Sequence, residues 1–125
     1  MYGPEVPGGS RQATPHDMTQ ARAQLSAYRQ SRKDGVADLL RDHGVELEAF
    51  ADRLAETRAA AASIGGVAIS ASIRRFWHGD DLLTIDAHSE HGRSTGRSRL
   101  RRSESTDRQL LLHNLADRIW QLRGR

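Results

Sequence analysis

The sequence predicts an α+β fold, in which a long N-terminal helix leads into a three-stranded antiparallel meander and a second helix follows. Three observations predict it. Apolar residues recur at alternating spacings of four and three between positions 36 and 64, as on one face of a long helix. The period falls to two after Gly65 and Gly66, which is the spacing of strands. A broad apolar face at helical spacing then returns between positions 111 and 122.

The N-terminal part is predicted to be a tail followed by a helix. All three prolines and three of the eleven glycines fall in the first fifteen residues, so residues 1–13 are predicted to be a flexible tail and residues 14–125 a single domain. The helix is expected to begin at Thr14 and Pro15, because threonine caps helices and proline suits the first helical position. The segment "SRKDG" at 31–35 could interrupt it.

An apolar seam is the clearest pattern in the chain, and its nine positions are Val36, Leu40, His43, Leu47, Phe50, Leu54, Thr57, Ala61 and Ile64. This spacing is typical of a coiled coil or a helical hairpin. The seam either covers its own domain or pairs with a second chain. His43 is interpreted as a partly buried polar residue that sets register. Gly44 weakens the helix by ~1 kcal/mol. The sequence therefore leaves two outcomes open at this position, a break and a continuous helix.

A homodimer is expected, because six Phe, Tyr and Trp residues in 125 make a thin core and pairing buries further apolar area at ~25 cal/mol per Å². The residues predicted to form its interface are Leu40, Leu47, Phe50 and Leu54.

Alternating apolar residues predict the strands. The first strand is marked by Val67, Ile69, Ala71 and Ile73, and the second by Leu83, Ile85 and Ala87. A turn is expected at "HGDD" (78–81), a longer loop at "SEHGRSTG" (89–96) and a third strand at "RSRLRRS" (97–103). Ser105 or Thr106 is expected to cap the last helix.

The charge of the chain is unevenly distributed. The formal net charge is +3, but residues 1–65 carry eight basic and nine acidic residues, whereas residues 66–125 carry eleven and seven. The C-terminal half therefore holds the basic character, and eighteen of the nineteen basic residues are arginine. Arginine suits bidentate contact with phosphate, although a GC-rich genome would also enrich it.

The stretch "HGRSTGRSRLRRS" at 91–103 concentrates this charge, with five arginines and no acidic residue: Arg93, Arg97, Arg99, Arg101 and Arg102. Alternate residues of a strand lie ~6.6 Å apart, close to the spacing of successive phosphates in a nucleic acid. The stretch therefore predicts a phosphate-binding strand, which Arg74 and Arg75 could extend. Two alternatives stay open: arginines that keep an exposed edge strand from aggregating, and a segment that docks on an acidic protein surface.

Other chemistry finds little support in the sequence. Without cysteine there is no disulfide or thiolate site. His88 and His91 lie close to several aspartates, but no second ligand pair stands at a recognised spacing, so no metal is expected. No nucleophile elbow, P-loop or glycine fingerprint is present, and we expect neither an enzyme nor a cofactor. A cytoplasmic protein without a membrane span is expected, since no apolar run approaches ~18 residues.

Three segments resemble the YbaB/EbfC family of nucleoid-associated proteins: "RLAETRAAAASIGGVAISASI" (53–73), "LLTID" (82–86) and "STDRQLLLHNLADRIW" (105–120). The resemblance covers roughly residues 36–122. It implies a homodimer that binds DNA with little sequence preference, through surface charge and not through a helix that reads a groove.

These observations lead to two functional hypotheses. The first is a small dimeric protein that binds nucleic acid, duplex DNA before RNA, by holding phosphates with the arginines named above. The second is a non-enzymatic interaction protein or chaperone-like adaptor that binds a partner helix through the seam at 36–64.

Overall fold

The computed structural model describes residues 14–123 and shows an α+β fold, which confirms the predicted class. Its elements are helix α1 (Pro15–Thr57), strands β1 (Ala59–Ile64), β2 (Val67–Arg75), β3 (Asp80–Ser89) and β4 (Gly92–Arg101), and helix α2 (Arg108–Arg123). The strands form one antiparallel sheet in the order β1-β2-β3-β4. The predicted tail, residues 1–13, lies outside the described residues.

The chain divides into two compact units, Met1–Ser31 and Arg32–Arg125. Among the described residues, the first unit consists of Thr14 and the opening turns of α1. The sheet, α2 and the rest of α1 belong to the second unit. The prediction of one domain over 14–125 stays a prediction.

Helix α1 begins where the sequence predicts. The Asp17 amide donates to the Thr14 hydroxyl (3.1 Å) and the Thr14 amide donates to the Asp17 carboxylate (3.3 Å), which is a reciprocal cap. Residues 31–35 are helical, so the interruption considered there does not occur. The backbone instead leaves helical geometry at His43 (φ −126°, ψ 22°), one residue before Gly44, where a break was considered.

A fourth strand, β1, corrects the predicted three-stranded meander. The sequence placed Ala61 and Ile64 in the helical seam, but α1 ends at Thr57 and both residues lie in β1. Arg58 ends the helix with a left-handed backbone (φ 65°), and its carbonyl accepts a hydrogen bond from the Ile73 amide (2.9 Å). The chain is thereby turned directly into an edge strand that pairs with β2.

The β1–β2 turn uses the two glycines that the sequence singled out. Gly65 and Gly66 have positive φ angles of 58° and 80°, as a two-residue hairpin turn of type I′ requires. The His43 ring lies against Gly65, and the Arg123 guanidinium donates to the Gly65 carbonyl (2.7 Å). Side chains from both helices therefore contact this turn.

The last part of the sheet also differs from the prediction. Strand β4 begins at Gly92 and ends at Arg101, so the eight-residue loop expected at 89–96 is a tight turn followed by strand. Asp107, and not Ser105 or Thr106, caps α2, because its carboxylate accepts the amides of Gln109 (3.1 Å) and Leu110 (3.3 Å). Ser105 is fully buried and donates to the Arg102 carbonyl (2.9 Å).

The core lies between the helices and one face of the sheet, which we call the inner face. It includes Ile69, Ile73, Leu83 and Ile85 from the strands, Leu47, Phe50 and Leu54 from α1, and Leu111, Leu115, Ile119 and Leu122 from α2. Leu47, Phe50 and Leu54, which were predicted at a homodimer interface, are at most 1 % exposed within a single chain, and Leu40 is partly buried. The seam thus covers its own domain. A homodimer stays a prediction and requires another surface.

Within residues 14–123, no helix is both long and apolar enough to cross a membrane.

Candidate nucleic-acid interface

The opposite side of the sheet, which we call the outer face, carries the arginines of β4. The alternation of the strand places Arg93, Arg97, Arg99 and Arg101 there, and all four residues are exposed. In the register of the sheet, Arg99 lies opposite Leu82 of β3, which in turn lies opposite Arg74 of β2. Arg74 therefore belongs to the same surface, whereas Arg75, which the sequence grouped with it, lies opposite Asp81 on the inner-face side of the register.

Three aspartates of β3 hold three of the predicted phosphate-binding arginines. Asp86 accepts two hydrogen bonds from Arg93 (3.0 and 2.7 Å) and one from the Thr95 hydroxyl (2.9 Å). The Arg93 guanidinium, followed by Thr95, lowers the pKa of Asp86 from 3.8 to about 2. Arg93 is thus engaged in a bidentate ion pair, the strong geometry for a guanidinium and a carboxylate.

Asp80 holds Arg99 in a different way. The Arg99 Nε atom donates to the Asp80 carboxylate at 2.7 Å, and the guanidinium carbon lies 5.3 Å from the centre of the Phe76 ring. This cation–π contact and the ion pair together fix the side chain, while half of its surface (52 %) stays exposed. Arg99 is consequently an oriented cation at the surface.

Asp81 lies on the inner face and is the buried member of the three, with a side chain only 1 % exposed. It accepts a hydrogen bond from Arg58 Nη2 (2.8 Å), and Arg102 Nε lies 3.8 Å from its other oxygen. Ser105, and after it Arg58, lower the pKa of Asp81 against the opposing effect of burial. Arg102 therefore belongs to an ion-pair cluster with Asp81 and Arg58 on the inner face, at one end of the sheet.

The remaining arginines have no such partner. Within residues 14–123, the side chains of Arg74, Arg75, Arg97 and Arg101 form no ion pair. Three of these, Arg74, Arg97 and Arg101, share the outer face with Arg99. We call these four residues the basic corner. Two carboxylates lie near its four guanidinium groups: Asp80 pairs with Arg99, and Glu104 accepts a hydrogen bond from the Arg101 amide (2.8 Å). Four positive charges against two negative ones leave the corner with a local excess of positive charge.

The other half of the outer face has small side chains and little net charge. Ala61, Ser63, Ala68 and Ser70 floor a shallow groove of about 640 Å³, whose rim includes Asp86, His88 and Arg93. His88 and His91 are exposed, and the described part of the chain contains no group of three or more His, Asp or Glu side chains that could hold a metal ion.

Sequence reasoning placed the arginines on one face but missed what neutralises some of them. The pairs Asp86–Arg93 and Asp80–Arg99 depend on the register between β3 and β4, which a single sequence does not specify. The signal that could have indicated them was the presence of three aspartates on the strand preceding the arginine-rich one. The neighbouring ring of Phe76 was also missed.

Comparison with known proteins adds no further identification, since no family model, curated protein or solved structure matches this chain.

Proposed function

We propose that this protein binds the phosphate backbone of duplex DNA through the basic corner, without reading base sequence. The observation that carries the proposal is the set of three exposed arginines, Arg74, Arg97 and Arg101, that share one sheet face with Arg99 and lack an ion-pair partner among the described residues. Binding a phosphate costs such a side chain no existing ion pair.

The arrangement of the corner suits a nucleic-acid strand. Arg97, Arg99 and Arg101 are alternate residues of a strand and thus repeat every ~6.6 Å, a separation similar to that of successive phosphates. Arg74 lies two strands away, at about 10 Å, and widens the row into a surface. Contacts of this kind supply affinity and salt dependence but carry no base information.

The structure gives less support to edge protection by the arginines and to the adaptor hypothesis. Both β1 and β4 are edge strands, yet β1, "AAAASI", has no charged residue, so charge is not this chain's general protection for sheet edges. The adaptor hypothesis needs the seam at 36–64, but Leu47, Phe50 and Leu54 are buried in the core and residues 59–64 form β1.

A homodimer and a location on the nucleoid, as in the YbaB/EbfC family that the sequence resembles, belong to the same proposal. The unpaired arginines of one corner offer about three phosphate contacts, and two copies would offer twice that number on one duplex. Dimerisation would therefore raise the affinity for duplex DNA well above that of a single basic corner.

The experiment is a binding titration of the full chain with two duplexes of unrelated sequence at about 50 and about 200 mM salt. Three phosphate contacts predict a loss of about 40-fold in affinity over this range, equal for the two sequences. Absence of binding at the lower salt concentration would refute the proposal. A strong preference for one sequence would refute its claim of backbone recognition.

A further inference from the structure

The turn between β2 and β3 presents aromatic rings beside the basic corner. Phe76 and Trp77 are consecutive and are 46 % and 72 % exposed. The chain has only six Phe, Tyr and Trp residues, and within residues 14–123 only Phe50 is fully buried. Phe76 and Trp77 thus form a patch of two consecutive exposed rings in a chain that is poor in aromatic residues.

The Trp77 ring is open to a ligand. It makes a T-shaped contact with the His78 ring, at 5.2 Å between centroids and an interplanar angle of 80°. At 72 % exposure, most of the indole is free of the rest of the described chain. The left-handed backbone of His78 (φ 55°) and Gly79 (φ 81°) turns the chain immediately after it, so that Trp77 lies at the tip of the hairpin.

The turn and the basic corner lie at the same end of the sheet. The Phe76 amide donates to the Asp80 carbonyl (2.9 Å), and Asp80 lies opposite Arg101 in the register of β3 and β4. The guanidinium of Arg99 lies over the Phe76 ring. The aromatic tip is therefore about two strand spacings, ~10 Å, from Arg101, which is within the reach of one or two nucleotides.

We propose that Trp77 is a stacking platform for an unpaired base, so that the turn and the basic corner together bind single-stranded nucleic acid. The inference rests on the proposed function, because the arginines must hold the phosphates on either side of the stacked base. Aromatic stacking tolerates every base, since each has a π face. A base inside a duplex is stacked between its neighbours and cannot use the ring in this way.

The test follows the fluorescence of the full chain during titration with a thymidine oligonucleotide of about a dozen bases and, separately, with a hairpin-closed duplex of the same charge. Stacking on Trp77 predicts quenching by the single strand and little change with the duplex. The only other tryptophan, Trp120, is partly buried against Gly35 and supplies a constant background.

Two variants separate stacking from simple apolar contact. Trp77→Leu keeps an apolar side chain but removes the ring, and it should weaken single-strand binding by about tenfold while changing duplex affinity less than about twofold. Trp77→Tyr restores a ring and should recover most of the single-strand affinity. The side chain is exposed, so both variants should keep the circular dichroism spectrum of the wild type.

The outcomes distinguish this inference from the proposed function. Salt-dependent duplex binding, combined with unchanged single-strand affinity and quenching in Trp77→Leu, overturns the stacking platform alone. Absence of binding to both nucleic acids removes both proposals. Equal losses for duplex and single strand show that the ring does not stack, and a Trp77-dependent response to anionic lipid vesicles without one to oligonucleotide assigns the tip to a membrane surface instead.

Discussion

The two ends of β4 carry similar residues on the outer face and differ in what those residues contact. At the start of the strand, Arg93 is held by two hydrogen bonds to Asp86, and Thr95 donates to the same carboxylate. Toward the other end, the side chains of Arg97 and Arg101 form no ion pair among the described residues. Of the nearby carboxylates, Asp80 pairs with Arg99 and Glu104 accepts a hydrogen bond from the Arg101 amide.

The difference shows that a count of arginines overstates the charge available to a ligand. A guanidinium in a bidentate pair must break that pair before it binds a phosphate, whereas an unpaired one gives up only contacts with water. The arginine-rich stretch is consequently two surfaces: a neutral start that stabilises the sheet and a positive end that can attract an anion.

The largest expected effect comes from removing the unpaired arginines together. The triple variant Arg74→Gln, Arg97→Gln, Arg101→Gln should reduce the salt slope of duplex binding by about 2.7 and the affinity at about 50 mM salt by at least about two orders of magnitude. Its unfolding midpoint in urea should match that of the wild type, because these side chains are exposed. Increased aggregation with unchanged affinity would instead support the edge-protection alternative.

Asp81 should matter for stability and not for binding. Asp81→Ala leaves Arg58 and Arg102 without their buried partner, and we expect it to lower the free energy of unfolding by about 2 kcal/mol. The value is below that for a fully buried pair because the side chains of Arg58 and Arg102 are 39 % and 50 % exposed and can regain water. Urea denaturation of the variant and the wild type measures this difference in the free energy of unfolding. A decrease of less than about 0.5 kcal/mol would show that the cluster does not stabilise the fold.

The Asp86–Arg93 pair should stabilise the fold near neutral pH and lose this contribution in acid. The pKa of Asp86 in the folded chain is about 2, below its ordinary value of 3.8. Its contribution is therefore complete above about pH 4 and is lost as the pH falls through about 2. Urea unfolding at these two pH values should show a smaller decrease for Asp86→Asn than for the wild type, and equal decreases would contradict the pairing.

The sequence predicted the fold class and the outward row of arginines because both depend on simple periodicity. It did not predict β1, since alanine is the strongest helix former and Ala61 and Ile64 continued the seam. The early start of β4 was hidden for another reason. Its inward residues Ser94, Gly96 and Ser98 are small where α2 packs on them, with Arg118 against Ser94 and Gly96 and Asn114 near Ser98, so no apolar alternation appears.

The most direct test of the division of β4 is a matched pair of single variants, Arg97→Gln and Arg93→Gln. Both remove one charge from the same face of the same strand, four residues apart, and the two arginines differ in that Arg93 pairs with Asp86. Measured as the salt slope of duplex binding, Arg97→Gln should reduce it by about 0.9, the contribution of one phosphate contact, and Arg93→Gln should leave it unchanged. Equal reductions in the two variants would contradict the account.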